Sequence, residues 1–249
     1  MYNSELENQV NQLLKSSSCS DSMQNGLQVE GRRKIEKVIT GVTACYDLLY
    51  EAAYTNTDAV VVHHGYFWEK ECPFIKGMKK QRLKILLEND INLFAWHLPL
   101  DIHPTLGNNV KLAELLDIKI KGEVVKPYVL WGELRQPLDA YSLKQKISMI
   151  LGREPLHCFA ANAPALIKCL AWCSGRGQMF IDAAATFGVD AFISGEVSEQ
   201  TIHSTREQRL HFFAAGHHAT ERAGVKALGE WLAKQYNLNV RFVDIENPV

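Results

Sequence analysis

Short, continuous apolar runs alternate along the chain with segments in which apolar residues recur every three or four positions. Continuous runs are typical of strands buried on both faces, and the wider spacing is typical of amphipathic helices. The runs predict strands at 37–43, 59–64, 91–97, 170–175, 190–196 and 210–215. The spaced segments predict helices at 4–14, 48–54, 81–87, 109–116, 179–185 and 219–236, and the polar segment 198–208 is also predicted to be helical. Because the two kinds of segment alternate, the pattern predicts an α/β protein with largely parallel strands.

The second half of the chain repeats the order of the first. Short matches occur at a constant offset, and in each half a histidine follows a Phe-Ala pair and precedes an acid by four residues. Asp58 matches Asp190 and His63-His64 matches Gly195-Glu196 at one offset, and the pair His97 and Asp101 matches the pair His217 and Glu221 at a slightly shorter one. Self-similarity in a fixed order is typical of repeated structural units. We predict two similar α/β domains of three-layer type, residues 1–127 and 128–249, each with a mixed, largely parallel sheet.

Composition restricts the class of protein. Of the 249 residues, 47% are hydrophobic, and no apolar stretch approaches the roughly 18 residues of a membrane span. The first seven residues are acidic and amphipathic, unlike a secretory signal. Six cysteines are scattered without a Cys-x-x-Cys pair, as expected of reduced thiols. We therefore expect a soluble, cytoplasmic protein without a membrane partner.

The net charge of −1 gives no overall field that would attract nucleic acid. One segment differs, because basic residues cluster on a predicted helix. They are Lys76, Lys79, Lys80, Arg82 and Lys84. A solvated helix face is the usual interpretation of such a cluster, and nucleic-acid binding is the alternative.

Polar residues follow the apolar runs at the points where predicted strands end. His63 and His64 come directly after Val62, and a second doublet, His217 and His218, follows the last predicted strand. In open α/β sheets, ligands bind at these strand ends. Adjacent side chains on an extended segment point to opposite sides, so we expect the first two histidines to hold different ions. The doublet therefore predicts two metal ions.

The candidate ligands combine imidazole with carboxylate and lack thiolate. This donor set suits iron, manganese or zinc in a catalytic site, whereas structural zinc sites normally use cysteines. Asp101 and Glu221 are the candidate bridging carboxylates, and a water between two ions loses its proton near neutral pH. His97 and Glu196 are the candidate catalytic residues for proton transfer. His97 and His218 are equally interpretable as alternate ligands or as hydrogen-bond partners of ligands.

Other common catalytic motifs are absent from the sequence. The chain has no Gly-x-Gly-x-x-Gly dinucleotide motif, no P-loop and no Gly-x-Ser-x-Gly elbow. The remaining histidines stand apart from the predicted strand ends, and we interpret them as hydrogen-bonded structural residues. They are His103, His157, His203 and His211.

Four motifs together resemble one known family. They are His63-His64-Gly-Tyr-Phe-Trp, Trp96-His97-Leu-Pro-Leu-Asp101, Gly195-Glu-Val-Ser-Glu-Gln and Gly216-His-His-Ala-Thr-Glu221. In these motifs, and along nearly its whole length, the chain resembles the short bacterial members of the GTP cyclohydrolase 1 type 2 homologue family. The resemblance implies a dinuclear metal centre in the cleft between the two domains. It implies that the ligands are His63, His64, Asp101, His217 and Glu221.

The resemblance also implies a homohexameric ring built from dimers, with the metal sites facing an internal cavity. From the donor set we expect a metal-dependent, cyclohydrolase-like hydrolase with two divalent ions per subunit. Its substrate would be a nucleotide or a related heterocyclic small molecule. The alternative is a non-catalytic, metal-binding ring with a regulatory, metal-handling or nucleic-acid-associated role. Neither interpretation assures activity on GTP, because function belongs to sites and not to folds.

Overall fold

The computed structural model describes residues 1–249, which form eleven strands and nine α-helices. The strands are β1 (Gly26–Val29), β2 (Lys37–Thr43), β3 (Ala59–His64), β4 (Asn92–Ala95), β5 (Ile118–Val125), β6 (Val129–Leu138), β7 (Leu156–Phe159), β8 (Ile167–Cys173), β9 (Ala191–Ser194), β10 (His211–Ala214) and β11 (Asn239–Phe242). The helices are α1 (Asn3–Leu14), α2 (Tyr46–Tyr54), α3 (Gly77–Glu88), α4 (Leu98–Asp101), α5 (Asn108–Leu116), α6 (Ala140–Leu151), α7 (Ile181–Phe187), α8 (Glu199–Glu207) and α9 (His217–Tyr236).

The chain divides into two compact units. Unit 1 comprises Met1–Leu106 and Gly224–Glu246, and unit 2 comprises Gly107–Ala223 and Asn247–Val249. These units do not follow the predicted boundary between residues 127 and 128. Helix α5 buries Leu112 and Leu116 in the core of unit 2, and α9 buries Leu228 and Leu232 in the core of unit 1. The boundary therefore follows the burial of helix faces and not the midpoint of the sequence repeat.

Unit 1 is built on a five-stranded sheet with the order β1-β4-β3-β2-β11. The strands β11, β2, β3 and β4 are parallel, and β1 pairs antiparallel with β4 at one edge. Strand β3 is apolar up to its terminal histidines because both faces are covered. Val61 packs in a core with α1 and α9, whereas Val60 and Val62 pack in a second core with α2 and α3. Since Val62 pairs with Ala95, the residues that follow β3 and β4 leave the sheet at the same edge.

Unit 2 is built on a six-stranded sheet with the order β5-β6-β8-β9-β10-β7. Its strands β8, β9 and β10 are parallel, and β7 pairs antiparallel with β10 as β1 does with β4 in unit 1. Helices again cover both faces, with Ile193 in the core that contains α5 and α6 and Phe192 in the core that contains α7. Ala214 pairs with Ser194, so the residues after β9 and β10 also share one edge.

Asp58 and Asp190 have the same structural role in the two sheets. Oδ2 of Asp58 accepts hydrogen bonds from the backbone N–H groups of Glu36 and Lys37, at 2.9 and 2.8 Å. Oδ2 of Asp190 accepts from the N–H groups of Lys168 and Cys169, also at 2.9 and 2.8 Å. The prediction of an α/β fold with two mixed sheets is confirmed. Asp58 and Asp190, which the sequence repeat matched, occupy equivalent positions in the two sheets.

The predicted elements are present, with ends that differ by up to a few residues. Helix α3 begins at Gly77 instead of residue 81, and α9 begins at His217 instead of residue 219. The strands β1, β5, β6, β7 and β11 and the helices α4 and α6 were not predicted. Strand β5 lacks a continuous apolar run, because most of its side chains are exposed or half-buried. No helix combines the length and apolar character that a membrane span requires.

Candidate metal centre

The ends of β3 and β4 bring three imidazoles together in unit 1. His63 and His64 are the last two residues of β3, and His97 follows β4 by two residues. One ring nitrogen from each of the three lies within 4.8 Å of the others, so this group could hold a metal ion. The expectation that the first two rings face opposite sides is wrong, because their centroids lie 4.6 Å apart. Nδ1 of His64 lies 3.1 Å from the hydroxyl of Thr43, on the neighbouring strand β2.

His63 is completely buried, and its hydrogen bond fixes the position of its proton. Nδ1 lies 3.0 Å from the carbonyl oxygen of Trp96. Because a carbonyl only accepts, Nδ1 carries a proton and Nε2 is the nitrogen left to bind a metal ion. Nε2 lies 3.6 Å from Oδ2 of Asp101, at the end of α4. An imidazole nitrogen and a carboxylate oxygen at this distance can both bind one cation.

His97 is also held by a carboxylate. Its Nδ1 lies 2.9 Å from Oδ1 of Asp21, a residue of the loop between α1 and β1. Burial opposes the ionisation of Asp21, but the hydrogen bond and charge of His97 outweigh burial and hold the pKa of Asp21 well below its ordinary value. The ring of His97 is 5.0 Å from that of His63, between centroids. The edge of Trp68 packs against it, also at 5.0 Å.

Unit 2 contributes a second set of ligand-type side chains, at the start of α9. His217 is the first residue of this helix, and Glu221 lies one turn later, with Nε2 and Oε2 3.1 Å apart. Nδ1 of His217 lies 2.7 Å from Oε1 of Glu196, which follows β9. Burial favours the neutral ring, but the hydrogen bonds and charges of Glu221 and Glu196 raise the pKa of His217 to about 9. A metal ion would replace the proton between His217 and Glu221, since both atoms are ligands when deprotonated.

Gly175 brings the backbone against this set. A Cβ at Gly175 would lie 2.0 Å from Oε1 of Glu221 and 3.1 Å from Nε2 of His217. Its φ of +57° is in the left-handed region that glycine adopts without strain. The N–H of Gly175 donates to the hydroxyl of Thr220, and its carbonyl accepts from the N–H of Gly195. Only glycine therefore fits between the two ligand-type side chains.

The structure thus assembles the predicted residues in two sets, each within its own unit. Unit 1 brings together His63, His64, His97 and Asp101, and unit 2 brings together His217, Glu221 and Glu196. His218 lies beside His217, and its N–H donates to the carbonyl of Val249. Whether His218 is a metal ligand or a hydrogen-bond partner of a ligand stays open. That the two sets bind the same ions stays a prediction. Both sets consist of imidazole and carboxylate without thiolate, which fits iron, zinc or manganese.

Sequence reasoning missed Asp21 and Gly175. Asp21 lies far from His97 in the sequence, so no local spacing reveals their contact. For Gly175, the signal was the Ser-Gly-Arg-Gly segment at the end of the predicted strand 170–175. Two glycines at a strand end indicate a close approach of backbone to a site.

The four histidines interpreted as structural lie outside both sets. His157 and His211 form a hydrogen bond of 3.1 Å between Nε2 and Nδ1, and the ring of His157 stacks on Phe213. Nδ1 of His103 accepts from the N–H of Leu106. In the basic segment, Lys79 forms an ion pair with Glu71 at 3.1 Å.

Comparisons with known proteins agree with the resemblance seen in the sequence. Residues 1–248 match the family model described as Duf34/NIF3 (NGG1p interacting factor 3). The chain is 58% identical over 248 residues to a protein of Escherichia coli (strain K12) named "GTP cyclohydrolase 1 type 2 homolog", with 100% of both chains covered. A solved structure described as "protein ybgI, unknown function" superposes with a TM-score of 0.98, 58% identity and full coverage of both chains. The structure of TTHA1606 from Thermus thermophilus gives 0.90 at 30% identity, also over all of both chains. The predicted resemblance is confirmed, and the chain belongs to the Duf34/NIF3 family.

Proposed function

We propose that this protein binds two divalent metal ions per subunit and hydrolyses a nucleotide or a related heterocyclic small molecule. The ions would be iron, zinc or manganese. The ligands in this proposal are His63, His64, Asp101, His217 and Glu221. One observation carries the proposal. In each unit, a histidine at a strand end has its Nδ1 tied to an acceptor, so that Nε2 faces a carboxylate.

The chemistry follows from the donor set. Divalent ions held by imidazole and carboxylate polarise an electrophilic carbon or phosphorus and lower the pKa of water to about 7. His63 and His217 would bind through Nε2, with Nδ1 oriented by the carbonyl of Trp96 and the carboxylate of Glu196. His97, with its proton on Nδ1, would accept a proton at Nε2 beside the ions.

The contacts of Glu196 favour a positioning role over the predicted role in proton transfer. Oε1 accepts from His217 at 2.7 Å, and Oε2 accepts from the side-chain amide of Gln178 at 3.1 Å. A carboxylate with both oxygens engaged keeps the imidazole in one tautomer and orientation. We therefore assign proton transfer to His97 and the orientation of His217 to Glu196.

We extend the proposal to a cytoplasmic, homohexameric ring of dimers, as the resemblance to the family implies. The mass of the assembly in solution tests it, since a hexamer weighs about six times the 28.1 kDa of one chain. A smaller mass under all ionic strengths would contradict the ring.

Metal analysis and a substrate screen test the function. The protein is purified without chelator or affinity tag, and its iron, zinc and manganese are measured by elemental analysis. We expect two ions per subunit in the wild type and a loss of bound ion in Glu221→Gln. The matched control is Glu230→Gln, at an exposed position of the same helix, which should keep both ions. Unchanged metal content in Glu221→Gln would refute the ligand assignment.

The substrate screen separates the two interpretations of the sequence. Protein loaded with each metal in turn is incubated with nucleotides and pterin precursors, and products are detected by mass spectrometry. Hydrolysis that is lost in His97→Gln supports the enzyme. If two ions are bound and no compound is turned over, the result contradicts the enzyme and favours the alternative, a non-catalytic metal-binding ring. The ion pair of Lys79 with Glu71 reduces the positive charge available to nucleic acid.

A further inference from the structure

Asp21 is buried beside His97 and makes four polar contacts there. Its side chain is only 2% exposed. Oδ1 lies 2.9 Å from Nδ1 of His97 and accepts from the N–H of Met23 at 3.1 Å. Oδ2 accepts from the N–H of Leu98 at 2.9 Å and from the side-chain amide of Asn25 at 3.0 Å. The carboxylate therefore contacts both the ring of His97 and the backbone that follows it.

Asn25 completes the arrangement on the backbone side. Its Oδ1 accepts from the N–H of His97 at 2.8 Å, while its amide nitrogen donates to Asp21. One loop, residues 19–25, thus fixes the backbone on both sides of the His97 Cα and one edge of its ring. A side chain with so many fixed neighbours has a single orientation.

The contact with Asp21 also fixes the proton of His97. An ionised carboxylate only accepts hydrogen bonds, so Nδ1 of the ring carries a proton, and Nε2 is the nitrogen left to face the other imidazoles. The ring centroid lies 5.0 Å from that of His63 and 5.6 Å from that of His64, and a nitrogen of each ring belongs to the group that could hold an ion. Trp68 packs edge-on against the ring of His97 and restricts its rotation.

The internal repeat does not explain Asp21. In unit 2 the imidazole at the start of α9 is oriented by Glu196, which follows the neighbouring parallel strand β9. In unit 1 the carboxylate comes instead from the loop before the antiparallel edge strand β1. In both units a carboxylate contacts Nδ1 of an imidazole, although the carboxylate comes from a different element in each. This recurrence indicates that the contact with the imidazole has a role of its own.

We propose that Asp21 is a positioning residue that holds His97 in the tautomer with its proton on Nδ1 and turns Nε2 toward His63 and His64. Asn25 supports it by holding the backbone of His97. The expected effect of Asp21 on metal binding rests on the proposed function. The proton on Nδ1 and the orientation of the ring follow from the contacts within unit 1.

Solid-state NMR of the full-length protein labelled with ¹⁵N-histidine tests the tautomer directly. The His97 signals are assigned by their loss in His97→Gln, before and after the addition of zinc. We expect a protonated Nδ1 and an unprotonated Nε2 in the wild type. In Asp21→Asn, the amide can donate to Nδ1, so we expect the proton to move to Nε2. Ser20→Ala, at a neighbouring position of the same loop, should leave the signals unchanged.

Zinc titration by calorimetry gives the second measurement. His97 is one of three imidazoles that could together hold an ion, so it is an alternate ligand beside the five proposed ones. If it binds the ion, Asp21→Asn, which loses the partner that orients its ring, should bind zinc about 10-fold to 100-fold more weakly. A wild-type signal with the proton on Nε2, or wild-type zinc affinity in Asp21→Asn, would overturn the proposal. If the wild type binds no zinc, iron or manganese, the proposed function fails, and the tautomer measurement still decides the role of Asp21. Because the wild-type signal is itself decisive, the test does not depend on the folding of any variant.

Discussion

Oε1 of Glu196 lies 2.7 Å from Nδ1 of His217, which places a carboxylate from the end of β9 against the first imidazole of α9. The contact joins two strand ends that the register of β9 and β10 brings side by side. It orients Nε2 of His217 toward Glu221. The site in unit 2 is therefore a chain of three side chains in contact, and each can be changed separately.

The first prediction concerns Glu196→Gln. The amide keeps one oxygen that can accept from Nδ1 of His217 but loses the negative charge, so the imidazole becomes a weaker ligand. We expect zinc affinity, measured by calorimetry, to fall about 10-fold. Glu207→Gln, at an exposed position of α8, should bind zinc like the wild type. Equal affinity in Glu196→Gln would mean that Glu196 does not orient a ligand.

The second prediction uses a pair of glycines in the left-handed region. Gly175→Ala places a Cβ about where Oε1 of Glu221 now lies, whereas Gly188→Ala meets nothing within 4 Å. Both substitutions cost about 1–2 kcal/mol for a side chain at positive φ. Only Gly175→Ala should also lower the content of bound metal in elemental analysis. If both variants keep the same metal content, Gly175 is a turn residue without a role in the site.

The third prediction concerns the equivalent aspartates of the two sheets. Asp190→Ala leaves the N–H groups at the start of β8 without their acceptor, and Asp58→Ala does the same at the start of β2. Each substitution should lower the free energy of unfolding of its unit by about 1–3 kcal/mol in denaturant titrations. Metal content should stay unchanged. Asp47→Ala, at an exposed position of α2, should change the stability by less than about 0.5 kcal/mol.

The fourth prediction concerns the pH dependence of stability. Burial, together with the nearby charges of His211 and Lys144, lowers the pKa of His157 to about 4. In the unfolded chain a histidine titrates near 6.5, so between about pH 6.5 and pH 4 the unfolded state binds more protons. The stability contributed by neutral His157 is therefore complete above pH 6.5 and decreases as the pH falls to 4.

Thermal unfolding at pH 7 and at pH 4.5 tests this effect. Because the ring is only partly buried, we expect the contribution of His157 to the loss of stability to be about 1–2 kcal/mol. In His157→Gln, the loss of stability between pH 7 and pH 4.5 should be smaller than in the wild type by about 1–2 kcal/mol. His203→Gln, at an exposed position, serves as the control. An unchanged slope in His157→Gln would show that other groups cause the acid sensitivity.

Much of the fold could be predicted because it depends on local patterns. The run of apolar residues in β3 indicates a strand covered on both faces, and in the structure Val60 and Val61 indeed pack in two different cores. The spacing of His217 and Glu221 predicts that they share a helix face, and their side chains are in contact. Such features need only neighbouring residues, so the sequence contains them fully.

Other features could not be predicted because they join distant segments. Asp21 meets His97 only because the edge strand β1 pairs antiparallel with β4, which brings the preceding loop to the end of that strand. The predicted domain boundary fails for the same kind of reason. Helix α9 is amphipathic from the sequence alone, but the core that receives Leu228 is chosen by packing.

By itself, the sequence determined the alternation of strands and helices, the repeat, and the histidines and acids at the strand ends. Hydrophobic periodicity and chain order are properties of neighbouring residues, so they are visible before the chain is folded. The tertiary structure alone decided which ring nitrogen of His63, His97 and His217 faces an acceptor, which carboxylate orients His97 and His217, and which core buries each helix. Those properties depend on hydrogen bonds and packing between residues far apart in the chain, which only the folded backbone brings together.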